Sequence, residues 1–323
     1  MRHLVLVRIY ARLFSVSQQW IRKVKLLFGS KDDLLDVSSL QFKFQTTAQT
    51  IESLGTLQLR IFNPAPSTIK KIIDEGSNVS LSAGYAGSFG QIFGGDIIQV
   101  RTGRENGTDT YLDISATDGD KIYNESFVNA TISAGTSKAS RLQLIATHGK
   151  FDFSNPPEVD DDDSKLPRGK AFFGMARDHL RPLCAMLGAD WTIKDGKVKV
   201  LSRGRLQPGD ETLLTYETGL IGIPTQTMEG LTLKALLNPS LIPGGVVNID
   251  NTSINKYQVD LSYGAGANYA LIPPLNNDGK YKILYVAHSG DTRGQNWYTD
   301  IIAMGTEFLT PGAQNKYATY ILY

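Results

Sequence analysis

The run His288-Ser289-Gly290-Asp291-Thr292-Arg293 holds the residue types of nucleophilic catalysis: an imidazole base, a hydroxyl, a carboxylate and a guanidinium that could steady an oxyanion. A triad needs those side chains to converge, whereas neighbours on a strand point to opposite faces. The run therefore reads as a polar loop between two strands. Asp291 is expected to accept backbone N–H bonds in the turn, and Arg293 to pair with a carboxylate locally or on a neighbouring chain. Asp118 and Asp120 in SATDGD are a second candidate, since a glycosidase works with paired carboxylates. There too the turn reading comes first, because Asp and Gly favour local hydrogen bonding and positive φ.

Metal and phosphate chemistry find less. The acidic run Asp160–Asp163 lacks the alternating ligand spacing and glycine-directed turn of a calcium loop, so it reads as a solvated loop within NPPEVDDDDSKLPRG. The four histidines, His3, His148, His179 and His288, stand in no metal-ligand spacing. No GxSxG elbow and no Gly-rich loop ending in Lys-Ser or Lys-Thr is present. Cys184, the single cysteine, excludes an intrachain disulfide and sits in HLRPLCAMLG as a small buried hydrophobe. We expect no catalytic residue, no cofactor and no metal ligand, and a chain that is not an enzyme.

Composition narrows the class further. The 323 residues allow more than one folding unit, and no apolar run approaches the roughly 18 residues of a membrane helix. Arg8 and Arg12 interrupt the apolar opening MRHLVLV, which argues against a signal peptide. With 33 Lys+Arg against 32 Asp+Glu, the net charge of +1 gives no support to sequence-specific nucleic-acid binding.

The elements that would position these residues are mostly strands. Ile21–Phe28 alternates imperfectly, Leu40, Phe42 and Phe44 alternate cleanly, and Leu57, Leu59, Ile61 forms a third run. Ser67 then stands as an N-cap before a short helix, Thr68–Asp74. Strands resume at NVSLSAGYAG, IFGGDIIQVRTG and TYLDISATDGD, with a reversal at Gly107. Beyond Asp120 a capped helix is expected to end at Gly149, with Leu142, Leu144 and Ile145 on its apolar side. The stretch 171–191 has the length and apolar content of a second helix, Pro182 being its one discordant residue. TIKDGKVKVLSRG closes as a hairpin on Asp195-Gly196. The last third returns to strands: TLLTYE, Leu231–Leu237, VVNID, YQVDLSYG, YKILYVAHSG and WYTDIIAMG. The fold class is mainly β with an α+β middle, in units 1–120, 121–205 and 206–323. β domains at both ends leave room for a duplicated fold.

At these turns and strands the chain resembles a known family. The order LDVSSLQFKF, LRIFNPAPSTIKKI, VSLSAGYAGSFGQIFGGDI, YLDISATDGD resembles the opening domain of baseplate hub proteins of contractile-tailed phages and prophages, related to the late control protein D family. TGLIGIPTQTMEGLTLKALLNPSLIPGG and AHSGDTRGQNWYTDI resemble later segments of the same hubs, in the same order. The resemblance implies two tube-like β barrels flanking the smaller mixed domain, and a homotrimer whose six barrels meet a hexameric tail tube. It further implies a trimeric spike protein below, the tail tube protein above, contacts with tape measure and baseplate wedge proteins, and a place in the virion tail after assembly in the host cytoplasm. Related spikes carry a fused needle and some tail proteins a lysozyme domain. As this chain ends at Tyr323, both are expected on separate polypeptides. Trp297 and Tyr298 serve as interface anchors or as core. The other classes weighed are a carbohydrate- or receptor-binding tail module and, behind it, a wall-degrading tail enzyme.

Overall fold

The computed structural model describes residues 21–30, 33–105, 107–154, 165–203, 211–227, 229–256, 273 and 275–305. In chain order the first β part comprises β1 (Arg22–Ser30), β2 (Asp33–Asp36), β3 (Phe42–Gln49), β4 (Gly55–Phe62), helix α1 (Pro66–Glu75), β5 (Asn78–Tyr85), β6 (Ser88–Glu105) and β7 (Asp109–Asp118). The middle holds α2 (Asp120–Glu125), β8 (Phe127–Ile132), α3 (Lys138–Gly149), β9 (Lys170–Met175), α4 (Ala176–Met186), β10 (Ala189–Lys194) and β11 (Lys197–Ser202). The last part holds β12 (Thr212–Leu213), β13 (Leu220–Thr227), β14 (Gly230–Leu236), β15 (Val246–Asn248), β16 (Lys280–Asp291) and β17 (Trp297–Gly305). The fold is mainly β with a small α+β part.

The alternating sequence decides the inner face. Leu57, Leu59 and Ile61 on β4 are buried, as are Phe42 and Phe44 on β3 and Leu26 and Phe28 on β1, while their strand neighbours face outward or are only partly covered. All join one core with Leu81, Leu112 and Ile72 of α1. The sheet around this core is curled. In the order β16-β3-β4-β7-β6-β5-β1, β1 lies six steps from β16. Flat, that path would measure roughly 29 Å at about 4.8 Å per strand. Yet the Arg22 guanidinium on β1 donates to the carbonyls of Gly294 (2.6 Å) and Gln295 (2.9 Å) in the turn that follows β16. Only a sheet bent back on itself permits that contact.

Strands from both ends of the chain lie in this one sheet, ordered β13-β14-β17-β16-β3-β4-β7-β6-β5-β1-β2. The joint is β16 against β3, antiparallel, from Tyr285 opposite Gln49 to Asp291 opposite Lys43. Two parts of the order repeat: β3-β4-β7-β6-β5 and β13-β14-β17-β16-β15. The repeat reaches single residues. Leu57 faces Ala116, which faces Ile97, and the next β6 residue, Ile98, is skipped in the register. Leu231 faces Ala303, which faces Ile283, and the next β16 residue, Leu284, is skipped likewise. The same rows and the same bulge in both halves give the duplicated fold a physical form.

The middle part has its own core, where Val128, Leu142, Ile145, Leu180, Cys184 and Trp191 meet. Helix α3 starts at Ser137, whose hydroxyl accepts from the Ser140 N–H, and Leu142 and Ile145 are buried as the spacing predicts, with Leu144 partly so. A third core, with Leu231, Leu233, Val247, Ile283 and Ile301, fills the last part.

Several expectations are corrected. The cap of α1 is Ala65 with Pro66 at the first turn, so Ser67 lies inside the helix; proline's fixed φ and missing N–H suit that first turn. The stretch 171–191 is not one helix: Lys170–Met175 is strand β9, paired with β8, and Ala189–Trp191 belongs to β10. Phe172 is buried and Phe173 exposed, a period-2 pattern that pairing with β8 exploits and that helix-level composition hides. Pro182 does sit inside α4. TLLTYE yields only the two-residue β12, and β13 was not anticipated as a strand. YQVDLSYG, the opening MRHLVLV, His3 and Asp160–Asp163 lie outside the described residues.

Trp297 is core: 1% exposed, it packs edge-on against Phe44 at 5.4 Å, under the Arg22 guanidinium. It belongs to β17, yet fills the core walled by β1 and β3–β7. Replacing Trp297 by Ala should destabilise the chain by about 3–5 kcal/mol, read by urea unfolding, with the first and last β parts still unfolding in one transition.

Candidate functional site

One carboxylate candidate, Asp118, and the histidine candidate, His288, do meet on one small cavity, while Asp120 does not line it. Thr46 of β3, Gln91 of β6, Asp118 at the end of β7, Asp195 in the β10–β11 turn, Lys199 of β11 and His288 of β16 line a space of about 60 Å³. That holds a few waters, each needing about 10–15 Å³ on the same measure.

Asp118, Gln91, Asp195 and His288 each have a structural task. The β10–β11 hairpin turns on Asp195 (φ 53) and Gly196 (φ 70), the two positive values that a two-residue type I′ turn requires. The Asp118 carboxylate accepts both turn amides, from Asp195 at 2.6 Å and from Gly196 at 2.9 Å. Burial pushes its pKa up while these two bonds pull it back down. Gln91 reaches the same turn, donating to the Asp195 carboxylate at 3.2 Å. Asp118 thus pins the middle part onto the first β part, and Asp120 opens α2 beside it, accepting from the Asn124 side chain at 2.8 Å. The two are not an acid and base facing one bond.

His288 is buried, its Nδ1 2.9 Å from the Thr299 hydroxyl across the β16–β17 pair. Burial, helped by the Lys194 charge, lowers its pKa to about 4, so it is neutral at pH 7. Ser289, next on the strand, points to the opposite face. Asp291 does what the turn reading expects: one carboxylate oxygen accepts from the Arg293 and Gly294 amides, each at 2.9 Å. The cation it meets is Lys43 of β3 at 3.7 Å. The other described histidines are distant in the fold, His148 on α3 and His179 on α4, edge-on to Phe172. Among the described residues no group of three or more His, Cys, Asp or Glu could hold a metal. Burial raises the Cys184 thiol to about 12 and leaves it unreactive.

Sequence reasoning missed Lys282. It is 2% exposed on β16, and its ammonium donates to the Ser202 carbonyl at the end of β11. Burial lowers its pKa to about 8, against the attraction of Asp190. Apolar neighbours on a strand were the only available signal, and a lysine among them reads as an outward residue. With Asp118 it seats the middle part against both β parts. What the arrangement offers is a rigid connection of the middle part to both β parts.

The fold has known counterparts. No family model matches the chain and no curated protein matches its sequence. Among solved structures it is similar to the 43 kDa tail protein of prophage MuSo2 from Shewanella oneidensis, with a TM-score of 0.56 and 8% identity over 89% of this chain and 98% of that one. It is similar to the tail protein from Neisseria meningitidis MC58, with a TM-score of 0.55 and 10% identity over 91% and 99%. The Escherichia coli c3393 protein matches with a TM-score of 0.50 and 10% identity over 87% of this chain and 76% of its own. That protein is a type VI secretion component described as similar to the T4 tail proteins gp27 and gp5. The chain thus has the fold of phage tail and type VI spike-related proteins. No helix among the described residues is long and apolar enough to cross a membrane.

Because the folded His288 pKa lies below the ordinary 6.5, the unfolded state binds its proton first as pH falls. Stability should therefore drop between pH 6.5 and 4, by on the order of 3 kcal/mol for this group. His288→Gln, which keeps a partner for Thr299, should remove that part of the pH dependence in urea titrations; an unchanged slope would contradict it.

Proposed function

We propose that the chain is a structural hub subunit of a contractile phage tail baseplate, with no enzymatic activity. Three copies form a pseudo-sixfold ring that joins the hexameric tail tube to the trimeric spike. The observation that carries this is the repeated strand order joined at β16–β3. One chain presents two like units side by side, so threefold symmetry of chains becomes near-sixfold symmetry of surfaces. The units run 1–120, 121–205 and 206–323, the first and third being tube-like barrels and the middle one a rigid spacer held by Asp118 and Lys282. Tape measure and wedge proteins are further neighbours, and the assembly belongs to the virion tail, built in the host cytoplasm.

The fold likeness to tail proteins supports the class, and the occupied polar groups of the cavity support a role without catalysis. Co-expression with a candidate trimeric spike protein, followed by light scattering and negative-stain imaging, should give a threefold complex with a six-lobed ring. A chain that stays monomeric beside the spike and instead retains glycans on an array would replace this reading with a binding module.

A further inference from the structure

Two strand pairs turn polar faces to one another across the cavity bordered by Asp118. On the β10–β11 hairpin, Trp191, Ile193, Val198 and Val200 enter the core of the middle part. Period 2 sets Thr192, Lys194 and Lys199 on the other face, with Thr192 directly opposite Lys199. On the β3–β16 joint, Thr46 stands directly opposite His288. All five line the cavity. Thr46 continues the inward row of Phe42 and Phe44 on β3, so a hydroxyl occupies a position where the strand pattern calls for an apolar side chain.

These groups are deeply placed and short of partners. Thr46 is 3% exposed, His288 5% and Thr192 7%. Among the described residues, neither threonine hydroxyl has a hydrogen bond, and neither the Lys194 nor the Lys199 ammonium has a hydrogen bond or an ion pair. Burial lowers the Lys199 pKa and the Lys194 charge lowers it further, as befits a cation with no neutralising neighbour. The histidine has a donor to spare as well. Thr299 is fully buried; its hydroxyl accepts from the Asn238 N–H at 3.1 Å, and its own proton finds an acceptor only in His288 Nδ1, 2.9 Å away. The neutral ring therefore carries its hydrogen on Nε2, which has no acceptor among the described residues.

An ammonium, a ring N–H and two hydroxyls are donors that call for an acceptor, and a desolvated ammonium without a counter-charge costs stability. Asp118 and Asp195 border the same cavity but accept within the protein, Asp118 from two amides and Asp195 from Gln91. Their charges disfavour a ligand with more than one negative charge. A space of about 60 Å³ suits an ion little larger than a water molecule. We infer that the cavity binds one small monovalent anion of the halide class, chloride in the first instance, held by the Lys199 ammonium and the His288 Nε2–H, with the Thr46 and Thr192 hydroxyls completing its shell. Bound there, chloride joins β3, β16 and the β10–β11 hairpin, a fastening of the middle part distinct from those at Asp118 and Lys282. Its binding needs a single chain and no ring.

The test is thermal unfolding of the full chain at pH 7 as sodium chloride replaces sodium gluconate, a much bulkier anion, at constant ionic strength. The melting temperature should rise by on the order of 2 °C and saturate. Lys199→Met, which keeps the stem and removes the charge, should abolish the rise, whereas Lys197→Met, at an exposed position on the same hairpin, should keep it. Crystals of the full chain grown in sodium bromide give a second measurement, with an anomalous peak expected between Lys199 Nζ and His288 Nε2. No rise in the wild-type chain, or a rise that survives Lys199→Met, overturns the site. A bromide peak without a chloride-dependent rise is binding at crystal concentration only and overturns it as well. If the Lys199→Met chain does not fold, the wild-type rise is judged with the bromide map: a peak supports the site, and water alone at that position overturns it.

Discussion

Seven residues of β3 facing seven of β16 hold the molecule in its working form. Their sequence separation is about 240 residues, so the pairing closes about three quarters of the chain into one loop. Without it the sheet would divide into two, each with a long unpaired edge and an open core. With it, Trp297 of the last part enters the first core, and the β16–β17 turn receives Arg22. The polar contacts follow the same logic: Lys43 finds Asp291, and Phe42 donates to the Thr292 hydroxyl, at the end of that joint.

Hydrogen bonds to backbone groups help to hold the middle part. Asp118 accepts from the two amides of a tight turn, and Lys282 donates to the carbonyl at the close of the same hairpin. Burying a carboxylate and an ammonium costs stability unless both are satisfied, and here each gains hydrogen bonds that fix one orientation. Such links favour a single relative placement of parts over maximal stability.

Much of the local structure was legible in the sequence. Period-2 runs such as Leu57, Leu59, Ile61 read as strands with the right inner face, Asp195-Gly196 as the hairpin, and GTSKASRLQLIATHG, with Leu142, Leu144 and Ile145, as a capped helix ending at Gly149, which is α3. The turn reading of Asp291 is borne out by its two amide bonds. Other features were illegible for physical reasons. β9 holds Ala, Phe and Met, which suit a helix equally well, and only its partner β8 decides. β13 is broken by Gly222 and Pro224. Whether Trp297 faced solvent or core depended on strands distant in the sequence, as did the meeting of His288 and Asp118 on one cavity. Strand order is a long-range property, and the repeat became visible only once the rows of the sheet were known.

The account turns on β3 and β16 forming one sheet, and hydrogen exchange of the purified chain tests that most directly. Amides in peptides spanning 42–49 and 285–291 should exchange as slowly as those of Gly55–Phe62. Exchange of 42–49 within minutes, at the rate of an exposed edge, would contradict the joint and with it the account of how one chain presents two like units.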